Sequence, residues 1–164
     1  MRALCLALML AVPAPLSAQT AAEAAAQNMQ LAAELCLRNY RTPQTLGQAF
    51  SSAGFTLGPS ALAAGVTDFT APGITGAFQT GYCYTQSDMV PLPMAEAIGR
   101  AVADRLFPGL VHDGAPEHVA GTPLKPCEGL QVFAPQNLIA ISYAAAGNSG
   151  ECISDGTSSI IIQM

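Results

Sequence analysis

The sequence predicts an α+β fold of two layers, with helices packed on one antiparallel sheet that ends in a C-terminal β-meander. Its expected element order is α-α-β-α-β-β-β-β. Three observations carry this reading. Two stretches, 21–37 and 93–106, show helical apolar periodicity. Short apolar runs after residue 129 are divided by turn residues. Four cysteines are spread widely enough to tie helix to sheet and one end of the meander to the other.

The chain opens MRALCLALMLAVPAPLSA, with a basic Arg2, an apolar run from Ala3 to Val12, and Pro13, Pro15 and Ser17 before a small residue. That order is a secretory signal peptide over residues 1–18, cleaved after Ala18, and its apolar run is too short to span a membrane. Cys5 lies inside the run, too early for lipid attachment at the cleavage point. Removing 18 of the 164 residues leaves 146, so 19–164 is read as a single disulfide-stabilised α+β domain with one core.

The first mature element is the Ala-rich helix from Ala21 to about Leu37, which holds no Gly or Pro. Ala25, Met29, Ala32 and Cys36 fall on one stripe, with Leu35 beside them, so Cys36 points to the core. A second helix has Thr42 at its N-cap, Pro43 at the first helical position and Gly54 beyond its end. Leu46, Ala49, Phe50 and Ala53 form its apolar side. TLGPSALAAGV (56–66) echoes TLGQAFSSAGF (45–55), which reads as a second short turn or helix and falls short of a solenoid.

Residues 67–76 read as a Pro/Gly-broken connection. AFQTGYCYT (77–85) alternates as one strand, with Phe78, Tyr82 and Tyr84 set against Gln79 and Cys83. Helix 93–106 places Met94, Ala97, Ile98, Ala101, Val102 and Leu106 on one face, and Glu96, Arg100 and Asp104 four apart on the other. Residues 109–129 read as a loop carrying both histidines. The runs at 130–133, 138–143, 151–154 and 157–163 are strands, and Asp155-Gly156 is the hairpin signal before the last.

With Cys5 lost, the cysteines are Cys36, Cys83, Cys127 and Cys152, an even number in an exported chain, which points to two disulfides. No Cys-x-x-Cys pair offers a zinc knuckle. A strand at 151–154 flanking the strand at 138–143 would share an edge with the strand at 130–133. That favours Cys127-Cys152 and leaves Cys36-Cys83, among three possible patterns.

Composition excludes several functions. The formal charge of −5 becomes −6 once Arg2 is removed, and Arg38, Arg41, Arg100, Arg105 and Lys125 are scattered. No basic stripe is present for nucleic acid or anionic lipid. Charged residues are only 10% of the chain, so Ala, Gly, Ser, Thr and Gln cover much of the surface. Trp, the commonest anchor of carbohydrate and interface sites, is absent. So are a Gly-x-Ser-x-Gly elbow and the glycine loops that hold nucleotides, and no cofactor is expected.

GNSG at 147–150 resembles the Gly-Asp-Ser-Gly surroundings of the nucleophile in chymotrypsin-like serine peptidases. The match ends at four residues: Asn148 replaces the Asp, and Glu151 stands where that family has another glycine. The histidines come shortly before Ser149 rather than far upstream in an Ala-Ala-His-Cys segment. A triad is defined by mutual geometry, so Ser149 is read as a turn residue. HDGAPEH (112–118) puts two imidazoles and two carboxylates within one segment, a candidate for zinc, copper or general-base chemistry through His112 and His118. Gly114 and Pro116 make it a poor frame for a tight site.

The expectation is therefore an acidic, periplasmic or secreted, bacterial-looking accessory protein that binds a small ligand or another envelope or extracellular protein. It has no nucleic-acid partner and no membrane span after cleavage. The alternatives are a small hydrolase using the His112/His118 loop and a structural envelope component. Catalytic, cofactor and metal residues are not assigned.

Overall fold

The computed structural model describes residues 20–61, 63–125, 127–146, 152 and 155–164. The leader, the GNSG segment with Ser149, and most of the strand expected at 151–154 lie outside them.

Helix α1 (Ala21–Arg38) begins at a capping box. Thr20 Oγ1 accepts from the Glu23 amide at 3.2 Å, and Glu23 Oε2 accepts from the Thr20 amide at 2.8 Å. Two of the amide groups that every helix start leaves without partners are thereby satisfied. The stripe Ala25, Met29, Ala32 and Cys36 is buried as its spacing predicts. Pro43–Thr45 form one 3-10 turn leading into α2 (Leu46–Ser52). Gly54, at φ 90°, follows the end of α2.

Four strands then follow, where the sequence reading placed a helical turn, a connection and a single strand. They are β1 (Thr56–Pro59), β2 (Thr67–Ala71), β3 (Ile74–Gln79) and β4 (Tyr82–Ser87). The Pro72-Gly73 and Thr80-Gly81 pairs that looked like breaks are the two-residue turns of β2–β3 and β3–β4. Each puts its glycine at positive φ, 76° and 77° respectively. Because the chain reverses at Gly81, Phe78 pairs with Cys83, and both face the helices while Tyr82 and Tyr84 face away.

Helix α3 (Leu92–Leu106) then carries the chain to the far edge of the sheet, to β5 (Val111–Asp113). Strands β6 (Leu130–Ala134), β7 (Asn137–Ala144) and β8 (Ser158–Gln163) return toward the middle. The result is one eight-stranded sheet in the order β1-β2-β3-β4-β8-β7-β6-β5, with every neighbour antiparallel. Fold class and the C-terminal meander agree with the sequence, with more strands than expected. Strand β7 pairs directly with β8, Ala140–Ala144 against Ser159–Gln163. The stretch 109–129 is not all loop, since His112 sits in β5.

Among the described residues, α1, α2 and α3 all cover one face of the sheet. Phe50 of α2 packs against Phe69 and Phe78, with ring centroids 4.4 and 5.2 Å apart, and Phe55 closes the cluster at 4.9 Å. Ile139, Ile141, Ile160, Ile162 and Val132 continue the core under α3. Helix α3 is rotated from the face its apolar pattern suggested: Val102 is buried and Ile98 and Leu106 pack against the core as expected, but the centre of the contact moves to smaller residues. Leu92, Ala95, Gly99, Val102 and Ala103 are buried, while Met94, Ala97 and Ala101 are exposed. The cause is close approach: the Tyr143 ring occupies the space where a Gly99 side chain would be.

Cys36 and Cys83 are joined, with Cα atoms 6.2 Å apart, fastening α1 to β4. Cys127 and Cys152 are joined with Cα atoms 5.7 Å apart. These are the two pairs favoured from the sequence, and the strand expected around Cys152 lies outside the described residues apart from Cys152 itself. Among the described residues, no helix is long and apolar enough to cross a membrane.

Candidate functional site: the uncovered face of the sheet

Side chains alternate along a strand, so the residues between the core positions must all point to the other face. Among the described residues no helix lies there. Strand pairing assembles these residues into three rows that run across the strands. One row is Thr56, Thr70, Thr75, Gln86, Ser159 and Ala144. The next is Gly58, Asp68, Ala77, Tyr84, Ile161 and Ser142. The third is Gln79, Tyr82, Gln163, Ala140, Gln131 and His112. Neighbours within a row are spaced by the strand separation of about 4.8 Å, and rows by two residues of rise, about 6.6 Å.

Two properties distinguish this face. It is nearly free of charge: Asp68 is the sole Asp, Glu, Lys or Arg at these positions, in a chain of net charge −5. It also carries aromatics at its centre, where Tyr82 and Tyr84 stand side by side with ring centroids 6.0 Å apart. Burial of the Tyr82 phenol, and secondarily the neighbouring Tyr84, raises its pKa above the ordinary value, which keeps it a neutral donor and acceptor. Beside the third row, the β6–β7 hairpin leaves Phe133 51% and Leu138 46% exposed, paired across the ladder. The hydroxyl and amide row leads into a cavity of about 480 Å³ at the sheet's end, lined in part by Thr70, Thr75, Gln86, Ser87 and Thr157. Within the row, Gln86 Nε2 donates to Thr75 Oγ1 at 3.2 Å.

The titratable residues singled out by sequence do not converge here. His112 lies edge-on to Phe133, ring centroids 5.0 Å apart, on the uncovered face. His118 instead pairs through Nδ1 with Glu128 Oε1 at 2.9 Å, both side chains largely buried. Gly114 leaves the room that the His118 ring fills. The Lys125 amide, which donates to Glu128 Oε2 at 2.7 Å, and then His118 hold the Glu128 carboxyl below its ordinary pKa. Glu128 borders a second cavity of about 460 Å³ with Glu96, Arg100, Lys125 and Tyr143. Among the described residues, no group of three His, Cys, Asp or Glu side chains is arranged to hold a metal ion.

Other expectations change. The polar row on α3 is not closed within the helix, because Arg100 reaches across to Asp113 on β5. At the start of α3, Met89 and Met94 are exposed, and Val90 and Leu92 are the buried apolar side chains. The sequence reading places Tyr82 and Tyr84 on a strand but in no site. The signal was nonetheless present: with Cys83 turned inward toward Cys36, the residues on either side of it must face outward. Comparison with known proteins finds no matching family model and no significant match among curated proteins or solved structures.

Proposed function

We propose that this chain is an exported accessory domain that acts by binding, and that the uncovered sheet face is its binding surface. The observation that carries the proposal is the one-sided covering of an eight-stranded sheet whose free face presents half-buried Tyr82, Tyr84 and Ile161 beside exposed Phe133 and Leu138. Exposed aromatic and aliphatic side chains gathered on one face mark interaction sites more often than chance surface. The leader-like first 18 residues and the two joined cysteine pairs support an oxidising, extracytoplasmic address. A hydrolase acting through His112 and His118 draws less support, because the two imidazoles take different partners.

Hydroxyl-radical footprinting in buffer and in envelope extract tests this. Protection of Tyr82, Tyr84 and Phe133 by the extract is expected, with Met94 on α3 as the exposed control. Equal labelling of the face in both would sink the proposal.

A further inference from the structure

We propose that the uncovered face binds a neutral polysaccharide laid across the strands, with Tyr82 and Tyr84 as its stacking platform. This rests on the binding role proposed above and names its ligand class. A pyranose ring offers an apolar C–H face and a rim of hydroxyls, and the three rows offer the complement. Tyr84 and Tyr82 supply two apolar ring surfaces with polar tips in adjacent rows, inclined 50° to one another so that each can meet a different sugar unit. On either side, Thr70, Thr75, Gln86 and Gln79, Gln163 supply groups that both donate and accept. Sugar hydroxyls also do both, so each partner can meet the other without a change of protonation state.

Charge narrows the ligand further. An anionic glycan, a nucleic acid or an anionic membrane surface would meet no cation among the Asp, Glu, Lys and Arg of the face, only Asp68. A protein partner would bury the hydroxyl and amide row beneath side chains, and each unmatched group would weaken the contact. The row's end cavity, about 480 Å³ and lined by Thr70, Thr75, Gln86, Ser87 and Thr157, has the size of a small-ligand pocket and suits a terminal sugar unit. The absence of Trp does not deprive this surface of a platform, because two tyrosines take that place.

The test uses the full chain with amylose, cellulose and chitin as insoluble probes, measuring depletion from solution and the change in tyrosine emission, which no Trp obscures. Retention on at least one probe is expected. It should be little changed between about 0.05 and about 0.5 M sodium chloride, because no ion pair is involved. Tyr82→Ala with Tyr84→Ala should weaken it about tenfold or more, while Asp104→Asn on α3 should not. If the double variant fails to fold, Gln79→Ala with Gln86→Ala provides the same test at surface amides. Retention on none of the probes, retention undiminished in a folded face variant, or retention abolished by salt would each overturn the polysaccharide proposal. Footprint protection by extract but not by the probes would overturn the ligand class and leave the binding face standing.

Discussion

Gly99 of α3 lies directly against the ring of Tyr143 on β7: a Cβ built at Gly99 would come within 2.8 Å of Tyr143 Cε1. Tyr143 is buried, and its hydroxyl reaches the Glu96 carbonyl at 3.5 Å. The ring therefore has little room to yield. In Gly99→Ala the helix-propensity gain of about 1 kcal/mol opposes an overpacking cost of about 1–3 kcal/mol, and a net loss of about 1 kcal/mol is expected. Gly99→Val should lose about 3 kcal/mol. Urea unfolding checks both, and a Gly99→Ala variant more stable than the parent would contradict the packing account.

Tyr143 also predicts an alkaline limit. Burial raises its phenol pKa far above the ordinary 10. A raised pKa means the stabilising, protonated state is fully present below the unfolded value. Stability should fall as pH climbs past about 10, where the unfolded chain ionises first. Tyr143 phenolate should therefore appear together with loss of circular dichroism, and Tyr143→Phe should remove that part of the alkaline decline. Ionisation of Tyr143 with the fold intact would contradict this.

At acid pH the sign reverses for Glu128. Its folded pKa lies below the usual 4.5, chiefly through the Lys125 amide and then His118. Its contribution is present above the unfolded value and is lost as pH falls through the folded one. Glu128→Gln should therefore lower the melting temperature near neutrality, with the difference vanishing at pH values below 4.5. A constant difference across that range would mean that the charge on Glu128 plays no part.

Thr85 and Ser158 are buried on the central strands, and the structure shows no hydrogen-bond partner for either hydroxyl. Thr85→Val keeps the branched shape and removes the stranded oxygen, so a gain of about 1 kcal/mol is expected, read as a melting-temperature rise of about 3 °C. A loss instead would indicate that the Thr85 hydroxyl is partnered in solution.

The two cysteine pairs should differ in accessibility. Cys36 and Cys83 are each 1% exposed, whereas Cys152 is exposed. Mild reductant should open Cys127-Cys152 first, as followed by alkylation and mass spectrometry, and the untreated chain should lack one hydrogen per paired cysteine. Loop entropy assigns about 4 kcal/mol to the first bond and about 3.5 kcal/mol to the second, so losing Cys36-Cys83 should cost more. Four free thiols in the untreated protein would overturn this picture.

These sites also indicate how far the sequence alone reaches. The α1 stripe and the C-terminal strands were legible, because Ala25, Met29, Ala32 and Cys36 repeat at the helix period and the later strands are dense in Ile and Val. The inward side of α3 was not, because hydropathy favours Met94 over Gly99, whereas close packing on Tyr143 selects for small size. Strands β1 and β2 were hidden by brevity and by a turn that reads as a Pro-Gly break, β2 burying just Phe69. The second half of β3 was read through Gly81 as one strand with β4. The uncovered face was least legible of all. Its rows join residues as distant as Thr56 and Ser159, and only the β4–β8 pairing brings them into line.

That same pairing governs when the molecule can form. The last strand, Ser158–Gln163, sits between β4 and β7 at the centre of the sheet. A chain emerging from its amino end would hold β1–β4 and β5–β7 as two separate ribbons with exposed edges until Ser158–Gln163 arrived. Loss of Ser158–Gln163 would therefore leave the facing edges of β4 and β7 open and prone to clumping.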